Sequence, residues 1–96
     1  MTRVDLRTAV DSRTPLSADA PALVRALWHD ATGDWEGAHR VAQDIDTPEG
    51  AWVHAYLHRK EGDIGNAGYW YRRAGKPAAS GSLDAEWQAI AEALLG

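Results

Sequence analysis

The chain has 96 residues, a mass of 10.5 kDa, 25% charged and 45% hydrophobic residues, and no cysteine. That describes one small globular domain, residues 1–96, and excludes a disulfide framework, a thiolate metal site and a cysteine nucleophile. A net charge of −4 argues against general nucleic-acid affinity, no apolar run reaches the ~18 residues of a membrane span, and Met1–Asp5 lacks an apolar leader, so the expected setting is cytoplasmic.

Taken in chain order, Val4, Leu6, Ala9 and Val10 predict a short first helix that ends before Asp11-Ser12-Arg13-Thr14-Pro15. Ser17 or Asp19 is the expected cap of a second, with Pro21 in its first turn and Leu23, Ala26 and Leu27 at helical spacing. Gly33 is placed to close it, and Asp34 to cap a third running from Trp35 to about Ile45. Thr47-Pro48-Glu49 reads as a cap, a proline in the first turn and a carboxylate favoured by the helix dipole. That fourth helix runs through Trp52 and Tyr56 to Glu61 and closes at Gly62. Asp63 caps a fifth that ends near Ala74, before Gly75 and Pro77. Ser82 caps the last, over about 83–95, with Leu83, Trp87, Ile90, Ala91, Leu94 and Leu95 on one face. No segment alternates with period two, so the fold class is all-α.

A slide of 29 residues lays Ala26, His29, Gly33, Asp34 and Ala38 on Ala55, His58, Gly62, Asp63 and Ala67. Each copy is a helix, a Gly-Asp turn and a helix with a small residue near its start, which is the makings of an antiparallel hairpin. The hairpins span about 19–45 and 48–74. Neither covers its apolar side alone, so they are expected to stack, with the terminal helices sealing the ends.

The Gly62-Asp63-Ile64-Gly65-Asn66-Ala67 run, with Tyr71 and Ala74, resembles the second half of a tetratricopeptide repeat. Trp70-Tyr71-Arg72-Arg73-Ala74 is similar to the close of a SEL-like repeat. The block from Trp52 to Asp63 also resembles one shared by a group of small bacterial proteins. The tetratricopeptide resemblance implies stacked helical hairpins and a non-enzymatic role in binding a protein or peptide.

His54 and His58 are four apart, so their rings share one helix face. With His29 at the equivalent place in the other hairpin, they are the candidate ligands of a divalent metal. The alternative is packed histidines hydrogen-bonded to a carbonyl or a neighbouring aromatic. A zinc-protease motif is excluded, because Ala55 stands where it needs a glutamate base. Tyr69, Trp70, Arg72 and Arg73, with Arg59, form an aromatic and basic group suited to an anionic peptide, although the arginine stems could equally cover tryptophan rings and stay solvated. Tyr71 is expected to point into the hairpin with Ala67 and Ala74. Nothing resembles a nucleophile elbow, a phosphate loop or a dinucleotide fingerprint, so no cofactor is expected. The leading expectation is therefore a protein-interaction module, with a metal- or small-molecule-binding protein as the rival. The apolar face of the last helix allows either a two-fold homodimer or a helix folded back as a cap.

Overall fold

Six helices and no strand make up the computed structural model, which describes all of residues 1–96: α1 (Arg3–Ser12), α2 (Ala22–Ala31), α3 (Trp35–Gln43), α4 (Pro48–Glu61), α5 (Ile64–Ala74) and α6 (Leu83–Leu95). The punctuation works locally as the side chains dictate. Asp34, Thr47, Asp63 and Ser82 each accept a hydrogen bond from the backbone N–H three residues on, satisfying one donor that the helix start leaves free. Gly33 and Gly62 take φ of +95° and +91°, a region closed to most side chains, and so turn the chain sharply from one helix into the next.

Three boundaries differ from the sequence expectation. The first helix continues through Ser12, because Arg13 itself adopts the left-handed closing conformation at φ 55°. The second starts at Ala22, with Pro21 as its extended cap residue and no side-chain cap. Ser17 Oγ is instead turned back on the N–H of Asp19. The third stops at Gln43, and Ile45 lies beyond it.

Consecutive helices α2 and α3 pack on each other, as do α4 and α5, and α3 joins the pairs by lying against α4. The main core draws Leu6 from α1, Val24 and Leu27 from α2, Ala38 from α3, Val53 and Leu57 from α4, and Trp87, Ile90 and Ala91 from α6. Helix α6 thus seals α1, α2 and α4 of its own chain, with Leu83, Leu94 and Leu95 half-covered along the same helix. Helix α5 packs chiefly on α4, where a smaller cluster of Ala55, Ala67 and Tyr71 marks the seam, and it reaches α6 through the Tyr71 hydroxyl. The inward direction expected for Ala67, Tyr71 and Ala74 is the one observed.

The tryptophans fasten this frame. Trp28 Nε1 donates to the Ala9 carbonyl, Trp35 to Leu57, Trp87 to Leu27 and Trp52 to the Glu86 carboxylate. Each bond ties one helix to another, and none of the five side chains is fully exposed. Two buried carboxylates anchor the same seams. Asp30 accepts from Tyr56 Oη at 2.8 Å and Lys60 Nζ at 2.9 Å. Glu86 accepts from Tyr71 Oη at 2.6 Å, Trp52 Nε1 at 3.1 Å and Arg59 Nη1 at 2.9 Å. Burial, followed by the neighbouring carboxylate, holds both tyrosine hydroxyls well above the usual phenol range, so they remain donors. No helix is long and apolar enough to cross a membrane.

Candidate metal centre

Three imidazoles meet where the two helix pairs join. Helix α3 carries His39 one turn after Trp35, and α4 carries His54 and His58 one turn apart on the face turned to α3 and α5. Nε2 of His39 lies 3.0 Å from Nε2 of His54. One ligand atom from each of His39, His54 and His58 falls within 4.8 Å of the others. His54 and His58 are buried, and His39 is half-buried.

The rings are held from several sides. Trp35 stacks on His39 at 4.9 Å between ring centres, and Trp70 stacks on His54 at 3.9 Å. His58 Nδ1 sits 2.6 Å from Glu61 Oε1, and its Nε2 is 3.4 Å from Asn66 Nδ2. A carboxylate only accepts and an amide nitrogen only donates, so the tautomer that satisfies both contacts carries its proton on Nδ1. The His58 lone pair is then on Nε2. A carboxylate fixing an imidazole in this way is the usual outer support of a metal-bound histidine.

The surroundings keep two of the rings neutral. Burial is the largest cause lowering the pKa of both His39 and His54. The neighbouring imidazoles add to it, and His54 is brought down to about 4. At neutral pH these two rings are therefore uncharged, and across the 3.0 Å contact one Nε2 donates its proton to the other, a hydrogen bond that a bound ion would replace.

Two sequence expectations are corrected here. His29 does not join the group: its ring faces Asp34 at 3.3 Å and packs edge-on against Trp28, with 36% of its side chain exposed. It stands near the end of α2, whose partner is α3, and His39 takes the third place in its stead. Arg59 is not part of an open basic surface, because its guanidinium is spent on the buried Glu86 and on the Gly81 carbonyl. Tyr69, Arg72 and Arg73 are exposed on α5, with Arg73 lying against the rings of Tyr69 and Trp70 and reaching Asp46. Trp70 belongs to the imidazole group rather than to that surface.

The 29-residue slide passed over His39 because it lays that residue on Gly68. A signal was present nonetheless: Trp35–His39 and His54–His58 are both spaced by four, on successive helices, so each pair forms one stripe. No family model, no curated protein and no solved structure matches this chain.

Proposed function

We propose that this protein binds a divalent transition-metal ion through His39, His54 and His58. The observation that carries the reading is the convergence of three imidazoles from two helices, with two Nε2 atoms 3.0 Å apart. Nitrogens bound at ~2.05 Å to a tetrahedral ion are about 3.3 Å apart; the His39–His54 pair is near that spacing, and His58, within 4.8 Å, would draw in to meet it. Imidazole donors without sulfur suit zinc, copper, nickel or iron rather than magnesium or calcium.

Equilibrium dialysis against zinc, using protein made without an affinity tag, is the test. Wild type is expected to retain one ion per chain, His54→Ala to lose it, and His29→Ala to keep it. Failure of wild type to retain zinc, or equal loss in the two variants, removes the reading.

A second reading, a tetratricopeptide-like protein-interaction module, draws on one observation. Helix α5 packs chiefly on α4, and its outer side leaves Ile64 66% and Tyr69 46% exposed beside Arg72 and Arg73. An apolar and basic face of that kind suits an acidic peptide. A pull-down comparing wild type with the Arg72→Glu, Arg73→Glu double variant should lose partners in the variant. Identical partner sets would discard this second reading.

A further inference from the structure

Three histidines leave one position of a four-coordinate ion unassigned. Resting on the metal reading above, we propose that the Asn66 side-chain carbonyl fills it and closes the site as three nitrogens and one oxygen.

The carboxamide of Asn66 stands 3.4 Å from His58 Nε2, close to the ~3.3 Å expected between two ligands of one tetrahedral ion. The atom at that place is Nδ2, which cannot ligate. Half a turn of the amide exchanges it for Oδ1, a neutral oxygen with lone pairs. Arrival of a cation on the His58 lone pair would drive that exchange, since a hydrogen donor pointed at a cation is repelled and a carbonyl oxygen is attracted.

The backbone puts Asn66 there by short-range rules. Gly62 turns the chain, Asp63 caps α5 by accepting from the Asn66 N–H at 3.2 Å, and Asn66 is thereby fixed in the first turn of α5, beside the end of α4. The nearby carboxylates are committed elsewhere. Glu61 holds Nδ1 of His58, whose direction diverges from that of Nε2, and Asp63 is occupied as the cap. The ion would then clamp α3, α4 and α5 together, joining both helix pairs through one centre.

Cobalt(II) bound to the full chain reports on this directly, because its visible absorption distinguishes four-coordinate from more open sites. Wild type is expected to give a tetrahedral band that azide does not alter. Asn66→Ala should bind cobalt at least about tenfold more weakly and gain an azide-dependent spectrum. Asn66→Asp should keep the azide-insensitive band, since it restores an oxygen donor. Circular dichroism of each variant checks that the helices persist. A wild-type band that azide shifts as it shifts that of Asn66→Ala overturns the fourth-ligand assignment alone. So does an Asn66→Ala protein equal to wild type in affinity and spectrum. Absence of any wild-type cobalt band overturns the three-histidine reading and this assignment with it.

Discussion

The two helix pairs share a plan and differ in what they do with it. Gly33 and Gly62 turn the chain alike, Asp34 and Asp63 cap alike, and Ala26 and Ala38 are buried as are Ala55 and Ala67. Around that common turn the chemistry diverges. Where α4 and α5 have His54, Glu61, Asn66 and Trp70, the equivalent places in α2 and α3 hold Arg25, Thr32, Gly37 and Val41. His29 and His58 are therefore equivalent by position and unlike in surroundings: one is half-exposed beside a cap, the other is enclosed by imidazoles and fixed by a carboxylate. The two pairs thus keep one turn and differ around it, and the imidazole group draws His39 and Trp35 from the second helix of the first pair.

The largest expected effects concern the buried carboxylates that fasten each pair to the rest. Glu86→Ala strands Arg59, the indole N–H of Trp52 and the hydroxyl of Tyr71, and Asp30→Ala strands Lys60 and the hydroxyl of Tyr56. Each should cost about 3–5 kcal/mol in urea unfolding, with Glu86 the more damaging because three donors lose their acceptor. A cost under 1 kcal/mol for Glu86→Ala would mean the α4–α6 seam is held by packing alone.

Next in size is the contrast between the equivalent histidines. His58→Ala should weaken zinc binding by more than ~100-fold, beyond the 10–100-fold typical of losing an outer partner, while His29→Ala leaves it unchanged. Titration calorimetry reads both. Matching losses would put His29 back in the site and dissolve the distinction between the pairs.

Acid should act through the same place in the chelated, metal-free protein. The folded pKa values of His39 and His54 lie below the ordinary 6.5, so on acidification the unfolded chain takes up protons first. Stability is then full above pH 6.5, falls as the pH drops below it, and levels off for His54 near pH 4. His54→Ala should flatten this slope, whereas His29→Ala should not. A thermal midpoint that follows the same pH curve in all three proteins would remove the imidazole group as its cause.

The smallest effect sharpens the shared part of the plan. Gly33→Ala and Gly62→Ala each force a side chain into the left-handed region and should cost about 1–2 kcal/mol, nearly equally, because neither position meets a neighbour. Only Gly62→Ala should also weaken zinc binding, since it disturbs the turn that sets Asn66. Equal zinc affinity in the two variants would detach the turn from the site.

Helix ends and the all-α class were legible in the sequence because they depend on neighbours within four residues. Thr47, Asp34, Asp63 and Ser82 cap, Gly33 and Gly62 turn, and Pro48 begins a helix wherever the rest of the chain lies. The start of α2 was misread because two capping candidates lay close together and Pro21 settled the boundary after both. The 29-residue correspondence between the two Gly-Asp turns was legible for the same local reason, and it misled at the imidazole group for that reason too. It paired His29 with His58 by position, although a ring's partners come from whichever helix packs beside it. That α3 lies on α4 is decided by burying Ala38, Leu57 and their neighbours, and this non-local packing brings His39 to His54 across fifteen residues of chain. The same packing turned Arg59 inward to Glu86 and left Tyr69 and Arg72 outside. Sequence determined the all-α class, the Gly-Asp turns and the caps at Asp34, Thr47, Asp63 and Ser82. Tertiary structure alone chose which side chains meet, because that choice depends on how whole helices share apolar surface and not on spacing along one of them.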